Sequence, residues 1–297
     1  MQVTIAATDG PLDVHVTEAG SGPPLLLLHG WPQHAGAWRK VIPLLAETFR
    51  LLTPDLRGFG RTGTPAGGYD PSTFAEDAVA LLDALGLNEA CVVGHDWGGF
   101  AGYLLALRHP DRVRALVVCN APHPWAPLNA RAAFELWRTW YVAVVASPLG
   151  PRVVASERFV PWFLRLGGRR HVFDDSEAER YAAPLREPAR ARASQQLYRS
   201  YLRAARDIFV SKPYDGQRLT VPTRTLFGRE DFYIPVESAV GAEQHADDWT
   251  VELLDGCGHW TPEERPELVA ETARALFSRP AARRAEREGS RSQSRQG

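Results

Sequence analysis

A carboxylate stands where a sharp turn would expose it, in the segment Gly94-His95-Asp96-Trp97-Gly98-Gly99. The apolar run before this segment is typical of a buried strand, and a helical pattern follows it. Glycines on both sides of Asp96 permit a turn too tight for neighbouring Cβ atoms, which lifts one side chain above the sheet beside a helix N-terminus. A carboxylate there is suited to attack on an sp³ carbon with a leaving group, as in an epoxide or an alkyl halide, and leaves an ester of the enzyme.

Two further side chains complete a set that could hydrolyse such an ester. His259 lies in the Gly-rich segment 255–260 after the last predicted strand, and Asp231 follows the strand predicted at 223–228. Loops at the carboxyl ends of parallel strands meet at one edge of the sheet. The order nucleophile, acid, histidine therefore predicts that His259 activates water and that Asp231 orients it. Glu230 is the alternative acid.

Backbone N–H groups should stabilise the negative charge that forms on Asp96 when water attacks its ester. The segment Leu28-His29-Gly30-Trp31-Pro32 follows the first central strand, where the second half of an oxyanion hole is expected. The N–H groups of Trp31 and Trp97 are predicted to form that hole. Asn120 ends another strand at a place where an acid could stand, but an amide cannot serve as one.

The elements that must position these residues follow an alternating pattern of strands and helices. Apolar runs without alternation predict strands buried on both faces, and parallel strands need crossover helices. The fold class is therefore α/β, with a mostly parallel, doubly wound sheet. Strands are predicted at 3–7, 12–16, 25–28, 51–55, 90–94, 113–120, 223–228 and 249–256, and helices at 37–49, 72–86 (with Ser72 as N-cap), 99–108 and 264–277.

The strand pattern is interrupted between residues 122 and 212. Aromatic and arginine side chains dominate there, and prolines separate short helical stretches, which predicts an inserted helical cap. Residues 1–121 and 213–278 then form the two parts of one α/β core. Residues 279–297 have no large apolar side chain and are predicted to be a disordered tail.

Composition excludes several classes of partner. The net charge of −1, from 34 Lys+Arg and 35 Asp+Glu, gives no electrostatic reason to expect nucleic acid or an anionic membrane. No apolar run approaches the ~20 residues that span a bilayer, and the N-terminal segment lacks a signal-peptide pattern. The 3 cysteines have no metal-ligand spacing and fit a reducing, cytoplasmic compartment. Neither a metal nor another cofactor is expected.

Three segments resemble the epoxide hydrolases of the α/β-hydrolase superfamily, the branch with an aspartate nucleophile. They are His-Gly-Trp-Pro at 29–32, Asp55-Leu56-Arg57-Gly58-Phe59-Gly60, and the turn at 94–99. The resemblance extends over residues 3–278. It implies the α/β-hydrolase fold with a helical cap over Asp96, and a reaction of water with a small apolar epoxide to give a vicinal diol.

The resemblance also implies two cap tyrosines that donate hydrogen bonds to the epoxide oxygen. Tyr141, followed seven residues later by Pro148, resembles the first of them, and Tyr198 in Leu197-Tyr198-Arg199-Ser200 resembles the second. Tyr201 is the alternative to Tyr198. Chemistry agrees with this role, because an alkoxide leaves poorly unless it receives a proton, which a phenol can supply.

Other functions remain open from the residues alone. A haloalkane dehalogenase would use the same Asp-His-Asp set, with the Trp97 indole as a halide donor. A non-catalytic relative would bind a small hydrophobic ligand and form no covalent adduct. A homodimer is an alternative to a monomer. The aromatic residues proposed for an apolar pocket are Trp97, Trp125, Trp137 and Trp162.

Overall fold

The computed structural model describes residues 1–126, 138–169, 172–211 and 213–278, and only the backbone over 204–211. Its strands are β1 (Gln2–Ala7), β2 (Gly10–Ala19), β3 (Pro24–Leu28), β4 (Arg50–Pro54), β5 (Ala90–His95), β6 (Val113–Cys119), β7 (Thr223–Gly228) and β8 (Trp249–Leu254). In the part of the chain so described they form one sheet, in the order β1-β2-β4-β3-β5-β6-β7-β8. β2 pairs antiparallel with β1 and β4, and every other pair is parallel. The prediction of a mostly parallel α/β sheet is confirmed.

The helices, in chain order, are α1 (Ile42–Leu45), α2 (Pro71–Ala84), α3 (Trp97–Arg108), α4 (Trp140–Ala146), α5 (Gly150–Val154), α6 (Phe159–Gly167), α7 (Asp175–Leu185), α8 (Pro188–Ser211), α9 (Thr261–Glu264) and α10 (Pro266–Phe277). The set α4 to α8 is called the cap helices below. Over 138–169 and 172–211, the insertion contains no strand.

The N-cap prediction for α2 is wrong. Asp70, not Ser72, caps this helix, because the Asp70 carboxylate accepts a hydrogen bond of 3.0 Å from the backbone N–H of Thr73. Pro71 takes the first helical position, where its missing N–H costs nothing. The helix therefore begins two residues earlier than a serine cap would place it.

The single helix predicted over 37–49 is also wrong. This segment forms a 3₁₀ turn at Ala35–Trp38 and then the short α1. Pro43 lies in the first turn of α1, where proline begins a helix but does not continue one, since it lacks a backbone donor. The apolar pattern still marks the buried side chains, which are Trp38, Val41, Leu45 and Phe49.

The core lies on both faces of the sheet. Successive leucines of β3 alternate between them: Leu26 and Leu28 pack in a cluster with α2 and α3, whereas Leu25 and Leu27 pack in a cluster with α10. All four leucines are almost fully buried. Such two-sided burial explains why central strands read as continuous apolar runs.

Several predictions fall on residues outside those described. They concern residues 127–137 of the predicted cap, and the tail at 279–297. Among the helices of the described ranges, none combines the length and apolarity that a membrane-spanning segment requires. The cap helices contact the core directly: the Trp31 indole N–H donates to Ser194 Oγ at 2.9 Å, and the Tyr181 hydroxyl donates to Glu263 at 2.7 Å.

Candidate active site

Asp96 occupies the sharp turn between β5 and α3. Its backbone has φ 51° and ψ −120°, a conformation that a residue with a Cβ adopts only when its surroundings enforce it. Close packing of glycines enforces it here. A Cβ on Gly30 would lie 2.4 Å from Asp96 Cβ, and one on Gly94 would lie 2.4 Å from the Gly98 carbonyl oxygen. The turn therefore holds the Asp96 side chain at the carboxyl edge of the sheet.

The Asp96 carboxylate faces the two backbone donors that the sequence predicts. The Trp31 N–H donates to Asp96 Oδ2 at 3.0 Å, and the Trp97 N–H also hydrogen-bonds this side chain. Burial raises the pKa of Asp96 to about 6, although His259 and the two N–H groups act to lower it. The peptide bond Trp31–Pro32 is cis.

His259 and Asp231 come together in loops that follow separate strands. His259 Nδ1 lies 2.8 Å from Asp231 Oδ2, and its Nε2 lies 4.0 Å from Asp96 Oδ1. Because the Nδ1–H donates to Asp231, the Nε2 of a neutral imidazole is an acceptor. A distance of 4.0 Å is too long for a direct hydrogen bond to Asp96, so Nε2 is available to a water molecule.

The Asp231 carboxylate is fully supplied with donors. Its Oδ1 accepts the N–H groups of Tyr233 at 2.8 Å and Ile234 at 3.0 Å, and its Oδ2 also accepts Asn120 Nδ2 at 2.8 Å. Burial acts to raise the pKa of Asp231, but His259 and these donors outweigh burial, so the pKa lies below its ordinary value.

The charge of Asp231 acts in turn on His259. Burial acts to lower the pKa of the imidazole, but the Asp231 carboxylate, followed by Asp96, outweighs burial and raises it above the ordinary value. An imidazole with a raised pKa is a stronger base. The arrangement can therefore remove a proton from water beside the Asp96 carboxyl group.

Tyr141 and Tyr198 lie together in the cap, above Asp96. Both are almost fully buried, and their ring centroids are 5.7 Å apart. Burial raises the pKa of each phenol well above 10, and the Asp96 carboxylate raises both further, which reflects how close it is. These phenols therefore keep their protons and are available as hydrogen-bond donors.

Tyr201, the alternative to Tyr198, has a different environment. It is 40% exposed, and only burial of its hydroxyl raises its pKa, without a contribution from Asp96. Its ring packs against Trp97, with centroids 5.8 Å apart. Of these two tyrosines, Tyr198 is the one whose pKa is raised by the Asp96 charge, and its donor role stays a prediction.

The remaining predicted residues lie away from Asp96 or outside the described ranges. Glu230, the alternative acid, is exposed and lies 3.4 Å from Arg169. Trp125 donates from its indole to the Tyr214 carbonyl oxygen at 2.6 Å and stacks on His245, with ring centroids 4.9 Å apart. Trp162 is 44% exposed and packs against Trp140, with ring centroids 5.8 Å apart, so its place in the pocket stays a prediction. Trp137 lies outside the described residues.

Sequence reasoning missed two groups that hold the His259 loop. Glu264 accepts the N–H of Gly258 at 2.9 Å and that of Trp260 at 3.1 Å, so one carboxylate fixes the backbone on both sides of His259. His95 Nε2 lies 2.9 Å from the His259 carbonyl oxygen and donates to it. Burial lowers the pKa of His95 to about 3, which keeps it neutral. A glutamate five residues after a histidine is too common a spacing to signal this role.

No group of metal-ligating side chains with three or more members occurs among the residues placed in the structure. The site is thus a carboxylate, an imidazole–carboxylate pair and two phenols. The sequence agrees with this arrangement, since the α/β hydrolase fold family matches residues 23–266.

The chain belongs to the α/β-hydrolase fold family. A soluble epoxide hydrolase from Corynebacterium sp. (strain C12) is 31% identical over 277 residues, covering 89% of this chain and 93% of that protein. A fluoroacetate dehalogenase from Burkholderia sp is 32% identical over 203 residues, covering 64% of this chain and 66% of that protein. The solved structure of the epoxide hydrolase CorEH without ligand has a TM-score of 0.72 at 28% identity, covering 94% of this chain and 98% of that one. This α/β-hydrolase is therefore an enzyme of the hydrolase class with epoxide hydrolases among its relatives.

Proposed function

We propose that this α/β-hydrolase converts an epoxide and water to a vicinal diol through an ester with Asp96. The observation that carries the proposal is the pair of buried phenols, Tyr141 and Tyr198, which are close enough to Asp96 for its charge to raise the pKa of both. An epoxide oxygen needs a proton donor as its ring opens, whereas a halide does not. Similarity to the soluble epoxide hydrolase supports the same reaction.

In the first step, an Asp96 oxygen attacks a ring carbon, and the carbon–oxygen bond of the epoxide breaks. The released alkoxide takes a proton from Tyr141 or Tyr198. In the second step, His259 Nε2 takes a proton from water, and the hydroxide attacks Asp96 Cγ. The N–H groups of Trp31 and Trp97 hold the resulting oxyanion. The ester bond then breaks, the diol oxygen receives the carboxyl proton, and the proton on His259 returns the phenolate to a phenol.

The side chains around the phenols favour a small apolar substrate. The Tyr198 ring lies edge-on to Trp31 and Trp97, with centroids 5.0 Å and 5.7 Å apart, and Tyr141 packs on Phe163 at 5.0 Å. Aromatic walls bind carbon skeletons and exclude water. A second copy of the chain is not required by any of these contacts.

A dehalogenase would need N–H donors for the leaving halide, and Trp97 is the side chain in question. The Trp97 ring packs edge-on against the Tyr198 ring, with centroids 5.7 Å apart, and the Trp97 side chain acts to lower the pKa of the Tyr198 phenol, so it is directed to that phenol. A carboxylate substrate would need a cation beside the nucleophile, where this chain has Trp97. We therefore assign the epoxide reaction.

Turnover of matched substrate panels tests this assignment. Terminal aryl and alkyl epoxides are compared with chloro- and bromoalkanes of the same skeleton, and Asp96→Asn, verified by intact mass, is the control. We expect diol from the epoxides and none from the control. Halide release without diol formation would overturn the assignment in favour of the dehalogenase.

A further inference from the structure

The carboxyl end of cap helix α6 contacts both loops that carry the acid and the base. The last four carbonyl groups of a helix have no partner within it. Two of these carbonyl groups in α6 accept hydrogen bonds from the base loop: the His259 N–H donates to the Gly167 oxygen at 2.8 Å, and the Trp260 indole N–H donates to the Leu164 oxygen at 2.7 Å. The Tyr233 hydroxyl, from the acid loop, donates to the Phe163 oxygen.

The contact is a close backbone approach that only glycine allows. A Cβ on Gly167 would lie 2.2 Å from Tyr233 Cε2, and a Cβ on Gly258 would lie 2.6 Å from the Gly167 oxygen. The Tyr233 ring also stacks on Phe163, with centroids 4.3 Å apart and planes inclined by 10°. The end of α6 thus fits between the two loops.

The hydrogen bonds to α6 connect the cap to Asp231 and to His259, in each case through a single residue. Tyr233 donates from its backbone to Asp231 Oδ1 at 2.8 Å and from its side chain to α6. In the base loop, Glu264 binds the N–H groups on either side of His259, and α6 accepts the N–H of His259 itself. The loops arrive from different strands, β7 and β8, so α6 fixes the position of one relative to the other.

We propose that the carboxyl end of α6 assembles the acid and base loops for the hydrolytic step, with Tyr233 and Trp260 as positioning residues. The inference rests on the proposed ester mechanism. The negative end of the helix macrodipole beside His259 also favours the imidazolium that forms when water loses a proton. Alkylation of Asp96 needs neither loop, so the two half-reactions should respond differently.

The test compares Tyr233→Phe and Trp260→Phe with Tyr69→Phe. Tyr69 is a matched control, because its hydroxyl also donates to a backbone carbonyl, that of Pro65 at 2.6 Å, but within the core. Ester formation and ester hydrolysis are timed separately by quenched intact-mass analysis with styrene oxide. We expect each positioning variant to slow hydrolysis about tenfold or more while alkylation stays nearly constant, so that the ester accumulates. Tyr69→Phe should change neither rate.

Amide hydrogen exchange over residues 255–261 gives a readout that does not depend on turnover. We expect faster exchange in Tyr233→Phe and Trp260→Phe than in Tyr69→Phe. Unchanged exchange together with unchanged hydrolysis, or an equal loss in both half-reactions, would overturn the positioning role. Absence of any ester, even in His259→Gln, would instead refute the proposed function, and exchange would then decide the positioning role alone.

Discussion

The imidazole of His259 lies 4.0 Å from the carboxylate of Asp96 and 2.8 Å from that of Asp231. Asp231 therefore holds the imidazole ring through Nδ1, whereas Asp96 faces Nε2 at a distance too long for a direct hydrogen bond. In the proposed mechanism this asymmetry divides the reaction in two, because Asp96 would be alkylated without the imidazole, whereas release of the product would require it.

His259→Gln should accordingly trap the alkyl-enzyme. Glutamine keeps a polar side chain but cannot take a proton from water, so the ester forms and is not hydrolysed. Intact-mass analysis after addition of an epoxide should find a stable increase equal to one substrate, on the peptide that contains Asp96. Binding of the epoxide without such an increase would argue against the two-step reaction.

The cap phenols should affect the other half-reaction. Tyr141→Phe or Tyr198→Phe removes one donor to the epoxide oxygen, and general-acid assistance is worth roughly 10²–10⁴-fold. Because the second phenol remains, each single change should lie near the low end of that range, and the double change should be far slower. Rapid-quench measurement of alkylation gives these rates. Tyr201→Phe is the matched control, and a larger loss there than in Tyr198→Phe would transfer the role to Tyr201.

Alkylation should decline as the pH falls through about 6. The ionised form of Asp96 is the nucleophile, and burial raises the pKa of Asp96 to about 6, so protonation below that pH removes the nucleophile. Single-turnover alkylation rates measured between pH 4 and 8 in overlapping buffers test this. A rate that stays constant down to the ordinary range of a carboxylate, about pH 4, would contradict it.

The rate of ester hydrolysis should decline at low pH with a pKa of its own, separate from that of alkylation. Asp96 contributes to the raised pKa of His259, and esterification removes the Asp96 charge. The pKa of His259 should therefore be lower in the alkyl-enzyme than in the free enzyme. Hydrolysis of the ester should then persist to a lower pH than the pKa of His259 in the free enzyme would allow. The rate at which pre-formed ester decays after a pH jump gives the pKa of His259 in the alkyl-enzyme. Asp231→Asn should lower that pKa further.

A methyl group at residue 30 should disable the site without unfolding the chain. In Gly30→Ala the new Cβ would lie 2.4 Å from both Asp96 Cβ and Asp96 Oδ2, so the nucleophile must move. Misplacement of about 1 Å can cost roughly 10²-fold in rate. Gly67→Ala is the control, since its Cβ would meet nothing within 4 Å. Equal kcat values for the two variants would show that the Asp96 position is not critical.

The sequence predicted most of the sheet and brought together Asp96, Asp231 and His259, because glycine spacing and strand order are local signals. It did not predict which way an aromatic side chain faces. Trp125 and Trp162 are the same residue type as Trp97. Of these three tryptophans, Trp97 is the one that packs on Tyr198. Burial on a given side depends on how the cap meets the core, which is not a property of the local pattern.

The contacts that support the acid and base loops could not be predicted from the sequence either. Tyr233 and Glu264 hold the acid and base loops through hydrogen bonds that involve backbone N–H groups. Every residue except proline has such a group, so these bonds produce no recognisable sequence motif. Asn120 cannot serve as an acid, but its amide donates to Asp231 and helps to keep that carboxylate ionised. Here the structure supplies a role that the residue type alone did not suggest.

The origin of the new oxygen in the diol tests the covalent role of Asp96 most directly. One turnover of wild-type enzyme in excess over epoxide is run in H₂¹⁸O, and the diol and the peptide containing Asp96 are analysed by mass. If water attacks Asp96 Cγ, the first diol carries an unlabelled oxygen from the carboxylate, and Asp96 gains the ¹⁸O. Label in the diol of the first turnover, with none in Asp96, would mean that water attacks the epoxide itself and would contradict the account.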